Sequence, residues 1–199
     1  MDQLCLKRKG AYNKSVWGGG ETTEIFIYPE NGDYHLREFG FRISSATVTQ
    51  SESLFSNLPG FYRYLMPISG NIELNFNGSS TNKILSPFEL ADFDGGIATK
   101  SYGKCRDFNL MINKEQGWSG QVELITEPSI KQENKLFTGY FTLEGKAKLE
   151  DSTDGLSLVL NEGDFLMIKS KSDFEMSVSS LQPTLKLIKV TLTLLDSQK

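Results

Sequence analysis

Histidine is almost absent from this chain: His35 stands alone among 199 residues. That scarcity removes the commonest transition-metal ligand and the usual general base, so a histidine-built metal centre and a Ser-His-Asp set are not expected. Cysteine is nearly as scarce. Cys5 and Cys105 form no metal-ligand spacing, and two reduced thiols are the expected state. Lys104 and Arg106 flank Cys105 and could lower its pKa, but no base is sequence-adjacent and a strand-edge cysteine is the plainer reading. No apolar run approaches the roughly 18 residues of a membrane span. No apolar segment follows Met1-Asp2-Gln3-Leu4-Cys5-Leu6-Lys7, so no signal peptide is expected and the expected location is the cytoplasm. Positive charge is short too, with 21 Lys and Arg against 25 Asp and Glu. Neither nucleic acid nor an anionic membrane is therefore expected as a partner.

Helical periodicity is missing as well; one helical turn, over Leu54-Phe55-Ser56-Asn57-Leu58, is the sole expectation of that kind. Period-two alternation takes its place. Ile72, Leu74 and Phe76 alternate with Glu73 and Asn75, and the pattern recurs at Leu156 to Leu160, Phe174 to Val178 and Leu185 to Leu194. Turn pairs such as Asn77-Gly78, Asp154-Gly155 and Glu162-Gly163 bound these runs. Many short strands at such intervals predict an all-β sandwich or barrel. The chain also resembles itself at an offset of 75: Ser69 to Leu74 falls on Glu144 to Leu149, Leu85 to Leu90 on Leu160 to Phe165, and Phe93 on Ile168. Two copies of one β module follow. Glu162-Gly163-Asp164-Phe165 looks like the turn entering a central cupin strand, which predicts a bicupin, two fused jelly-roll barrels, with lobes over 1–115 and 116–199.

Three chemistries can be set aside. Gly18-Gly19-Gly20 has no following G-K-[ST], and Glu21 and Glu24 would repel a pyrophosphate, so it is neither a phosphate loop nor a dinucleotide fingerprint. No carboxylate run has calcium-loop spacing, and a cupin here would be metal-free, without cofactor; Glu89 and Asp92 to Asp94 are the place to look for a hard cation. Three adjacent glycines nonetheless mark unusual torsions or a close approach. In Phe41-Arg42-Ile43-Ser44-Ser45-Ala46, Arg42, Ser44 and Ala46 share a face. Asp107, Asn109 and Met111 share another, where a methionine beside two polar groups suits a mixed cavity better than solvent. Arg42 is the natural fork for a carboxylate, with Arg63 a second cation for which a surface role is the commoner explanation. Trp118 is expected to pack between lobes.

Trp17-Gly18-Gly19-Gly20-Glu21-Thr22-Thr23-Glu24, Phe41 to Ala46, Phe55-Ser56 to Pro59-Gly60, Arg63, Phe93-Asp94-Gly95 and Asp107 to Met111 together resemble the HutD/Ves family in order and spacing. The resemblance spans residues 12 to 112. It implies a metal-free bicupin, encoded in bacteria beside histidine-utilisation enzymes, that binds small carboxylates or formylated amino acids. It carries Trp17, Thr22, Glu24, Arg42, Ser44, Arg63, Asp107, Asn109 and Met111 as ligand-binding positions. Departures from the family pattern fall at Gly18, Glu21 and Tyr62.

Three readings stay open. The first is a non-catalytic carboxylate binder with a regulatory role. The second is a metal-independent enzyme using Glu24 and Asp107 as acid and base. The third is an interaction protein that docks to a pathway enzyme and pairs as a homodimer through the second barrel.

Overall fold

The computed structural model describes residues 1–195, and among them every regular element is a strand. The first, β1 (Gln3–Lys7), is followed by β2 (Asn13–Trp17), β3 (Gly20–Tyr28), β4 (Phe41–Val48), β5 (Glu52–Leu54) and β6 (Phe61–Ser69). Next come β7 (Ile72–Phe76), β8 (Lys83–Leu85), β9 (Ala91–Asp94), β10 (Thr99–Tyr102) and β11 (Cys105–Asn113). The chain continues through β12 (Trp118–Ile125), β13 (Ser129–Glu133), β14 (Phe137–Asp151), β15 (Leu156–Asn161), β16 (Phe165–Lys169) and β17 (Phe174–Leu194).

Two compact units result. One runs from Asn13 to Ser119; the other joins Met1–Tyr12 to Gly120–Leu195. In the first, a sheet ordered β2-β3-β4-β11-β6-β9 faces a smaller one ordered β5-β10-β7-β8. The inward positions of both sheets supply the core: Leu65, Phe93 and Cys105 from one, Ile72, Leu74 and Leu85 from the other. The second unit orders its strands β1-β16-β14-β17-β12, with β13 added to β17 and β15 to β14, around Tyr140, Leu149, Leu160, Ile168, Met176 and Leu187.

The offset of 75 seen in the sequence is kept in the strand pairing. Ile72 opposes Leu85 as Ala147 opposes Leu160, and Leu65 opposes Ala91 as Tyr140 opposes Leu166. The corner glycines match too. A Cβ on Gly70 would lie 2.3 Å from the Lys104 carbonyl oxygen, and one on Gly145 would lie 2.1 Å from that of Thr184. Both have positive φ, so two strands cross at contact distance only because these residues lack a side chain.

Two expectations change. The stretch from Leu54 to Leu58 is not helical, because its amides bond across the fold: Phe55 N–H to the Thr99 carbonyl and Leu58 N–H to that of Gly95. The first twelve residues do not belong with 13–115, since β1 pairs antiparallel with β16. Trp118 packs edge-on against Tyr28 and Phe41, with ring centroids 5.5 and 5.2 Å apart.

Asp164 ties the N-terminal segment down. Its buried carboxylate accepts from Arg8 Nη1 at 2.7 Å, Lys9 N at 2.9 Å and Asn161 N at 2.9 Å. Burial alone would raise its pKa, but these donors outweigh burial and hold it below the usual value. Its stabilising contribution is therefore present above the unfolded-state pKa and lost as pH falls through the depressed native value. Asp164→Asn should cost about 1–3 kcal/mol at pH 7. The deficit against wild type should shrink as pH falls below the ordinary aspartate pKa of about 4, measured by urea denaturation at pH 7 and in that acid range.

Candidate functional site

The hairpin β2–β3 turns through Gly18 and Gly19, with Trp17 opposite Gly20. Two of the three glycines are there for space. A Cβ on Gly19 would lie 2.0 Å from the Trp17 ring, and one on Gly20 would lie 1.9 Å from the Thr47 carbonyl oxygen. The indole therefore lies against its own turn, and its Nε1–H donates to Thr22 Oγ1 at 3.1 Å.

All nine residues singled out in the sequence line a single cavity of about 590 Å³ in this unit: Trp17, Thr22 and Glu24 from β2 and β3, Arg42 and Ser44 from β4, Arg63 from β6, and Asp107, Asn109 and Met111 from β11. Strand alternation puts them on one face, since Asn109 opposes Ser44 and Leu65, while Met111 opposes Arg42 and Arg63. Both carboxylates stand where the pairing slips, Glu24 at the shift in β3 and Asp107 at the shift in β11. Each slip falls beside its carboxylate and not between it and its cavity-facing neighbours, so alternation alone keeps Glu24 in phase with Thr22 and Asp107 with Asn109. Glu21 points away, paired with Lys14 at 2.7 Å and outside the cavity lining.

The two arginines differ in how they are held. Arg42 donates from Nε to Glu24 Oε2 at 2.7 Å, and its guanidinium lies 4.3 Å from the Tyr34 ring centroid. Arg63 is 4% exposed, not a surface residue, and its Nε has no hydrogen-bond partner among the described residues. Its guanidinium lies over Phe55 at 4.6 Å and near Phe93 at 5.5 Å. Burial pulls its pKa down to about 10, although Asp107 opposes that change. Burial in turn pushes the Asp107 carboxyl up to about 6, against the Ala46 N–H donated to its Oδ1 at 2.9 Å and the fields of Arg63 and Arg106. Asn109 Oδ1 and Ser53 Oγ are also buried without partners.

The sequence reading missed Tyr34, His35, Ser53, Phe55 and Ser56, which line the same cavity. Ser53 and Phe55 alternate about Leu54, a signal that a strand there would have supplied; nothing marks Tyr34 or His35. Arg63 had a signal, since it sits in period two between Phe61 and Leu65, both core residues. Cys105 behaves opposite to the effect its basic neighbours suggested: burial pushes its thiol up to about 12.

These features define an all-β, cupin-like protein with an open cavity of mixed polar and apolar lining. The chain belongs to the HutD family, whose model matches residues 9–185. It is similar to HutD from Pseudomonas fluorescens SBW25, solved in a formate condition, at 23% identity and TM-score 0.80, covering 96% of this chain and 98% of that one. A conserved protein of unknown function from Pseudomonas aeruginosa PAO1 aligns at 20% identity and TM-score 0.84, covering 96% and 100%. The bacterial pirin YhhW of Escherichia coli, in complex with nickel(II), aligns at 11% identity and TM-score 0.66, covering 97% and 100%. No curated protein matches the chain.

The nickel-bearing neighbour invites a test of fit. Among the described residues no three His, Cys, Asp or Glu side chains gather as a ligand set. The cavity's one histidine, His35, is exposed, and Glu24 is tied to Arg42. Glu89, Asp92 and Asp94 are engaged elsewhere, with Ser86 N–H, the Tyr62 hydroxyl and Lys114. The residues present do not fit such a centre.

Because Asp107 binds its proton more tightly in the native than in the unfolded state, stability falls as pH rises from about 4 to about 6, and the penalty persists above that. Asp107→Asn keeps the acceptor for Ala46 and removes the charge. The variant should exceed wild type by about 1–3 kcal/mol at pH 8 and match it near pH 4, measured by urea denaturation at the two pH values.

Proposed function

We propose that this chain is a metal-free bicupin that binds a small carboxylate or a formylated amino acid without transforming it. Its role would be regulatory, in histidine utilisation. The conserved 75-residue register of the two units supports the bicupin reading. Two unpaired cysteines are consistent with a reducing cytoplasm.

The observation that carries the binding reading is Arg63: a buried guanidinium facing a cavity with no ion-pair partner within 4.0 Å among the described residues. A buried cation left in that state calls for an anion, and a carboxylate suits the planar fork. Asn109 Oδ1, a buried acceptor without a donor, suits an amide N–H such as that of a formylated amine. Arg42, already braced by Glu24 and Tyr34, would steer the ligand more than anchor it. The formate condition of the Pseudomonas fluorescens relative agrees with this chemistry.

A second reading rests on Asp107, whose pKa near 6 leaves both protonation states populated near neutrality, as acid-base catalysis requires. Glu24 would be its partner, but the Arg42 pair already occupies that carboxylate.

Saturating formate or N-formylglutamate should raise the melting temperature by about 5–10 °C. Arg63→Met should abolish the rise and Arg42→Met should reduce it. Absence of any rise with either ligand in wild type would remove the binding reading. Product appearing in NMR spectra of the wild-type mixture, and lost in Asp107→Asn, would favour the enzyme.

A further inference from the structure

The C-terminal unit carries its own polar cluster at the positions that line the cavity of the N-terminal unit. Lys189 opposes Tyr140 across β14 and β17 as Asn109 opposes Leu65 across β6 and β11. One step along, Thr191 opposes Thr138 as Met111 opposes Arg63. Cross-strand partners share a face and alternate residues repeat it, so Thr138, Tyr140, Lys189 and Thr191 all point to one side. Glu133, at the end of β13, closes the group. Its Oε1 accepts from Lys189 Nζ at 2.5 Å and from the Tyr140 hydroxyl at 3.0 Å.

This cluster is costly. The Glu133 and Lys189 side chains are 2% and 8% exposed, and two ions taken out of water recover that cost only with good geometry and further hydrogen bonds. The pair is incompletely satisfied by protein. Both contacts fall on Oε1, leaving Glu133 Oε2 as an open acceptor, and Lys189 has one acceptor for three N–H groups among the described residues. Thr138 Oγ1 is buried without a partner on the same face. A void of about 170 Å³ opens onto Glu133, Lys189 and Thr191, rimmed by the side-chain amides of Gln121, Gln132 and Asn134 and by Glu123 and Lys135, which add one charge of each sign. That space equals about five or six waters at roughly 30 Å³ each.

We propose that this void is a second ligand site, for a small zwitterion of amino-acid size. The interior pair is neutral as a whole, so it favours no net charge. An ammonium with open donors beside a carboxylate with an open oxygen matches a molecule carrying both groups, with its carboxylate on Lys189 and its ammonium on Glu133. The amide rim supplies neutral donors and acceptors around it. The first cavity, with its unpaired Arg63, answers instead to an anion, so the two sites discriminate by charge type.

The test is titration of 15N-labelled full-length protein with L-alanine, and separately with propionate and isopropylamine, which carry one charge each. L-Alanine should produce saturable amide shifts within 121–135 and 189–191, with much smaller changes there from the two single-charge probes. Glu133→Gln/Lys189→Met removes both charges together and avoids stranding one ion. It should weaken L-alanine binding about tenfold or more, the loss of at least one charge-assisted hydrogen bond. No saturable shift in those segments of wild-type protein would overturn the site, whatever the variant does. So would shifts that survive in the double variant, or propionate acting there as strongly as L-alanine. Shifts near Arg63 report the other cavity and leave these outcomes distinguishable.

Discussion

A guanidinium buried among β-strands without a counter-ion among the described residues is the constraint around which the N-terminal unit is arranged. Removing such a cation from water costs several kcal/mol even after relaxation, and here no carboxylate closes on Arg63 to offset it. What does offset it is aromatic. Phe55 and Phe93 present ring faces to the charge, and Phe93 is itself part of the core. The cost left over shows in the group's lowered pKa and in that of Asp107, raised by the same dry surroundings. Arg42 is buried to a similar extent and yet is satisfied by Glu24 and Tyr34. One arginine is thus paired within the protein, and the other has no ion-pair partner among the described residues.

Much of this arrangement was legible in the sequence, and for a definite reason. Alternation within Phe41–Val48 and Cys105–Asn113 assigns side chains to faces without any tertiary information, which is why Arg42 and Ser44 on one strand and Asp107, Asn109 and Met111 on the other converge. The constant offset between copies is readable because paired strands must preserve register or turn their apolar set outward. Three things were not legible. The slips at Glu24 and Asp107 are backbone irregularities that no residue type announces. The pairing of β1 with β16 joins residues more than 150 positions apart. The backbone hydrogen bonds that keep Leu54 to Leu58 extended come from Gly95 and Thr99, far from the local window that suggested a turn of helix.

The two units show one scaffold answering the same positions with different electrostatics. Where the first places Arg63, Asn109 and Met111, the second places Thr138, Lys189 and Thr191. The second unit meets its buried cation with Glu133, whose Oε1 also accepts from the Tyr140 hydroxyl, and the void beside it is smaller.

The corners at Gly70 and Gly145 carry a mechanical consequence. In the second unit β14 runs on through its corner, and its ladder with β17 reaches from Phe137 opposite Leu192 to Glu150 opposite Ser177, with register slips at the corner between Thr142 and Glu144 and between Gly145 and Ala147. In the first unit the equivalent strands stop: β6 ends at Ser69 before β7 starts at Ile72, and β10 ends at Tyr102 before β11 starts at Cys105. The interrupted corners give the first unit two compliant joints, so its layers can part by backbone torsion without breaking a strand pair. Those joints lie in the unit with the larger cavity.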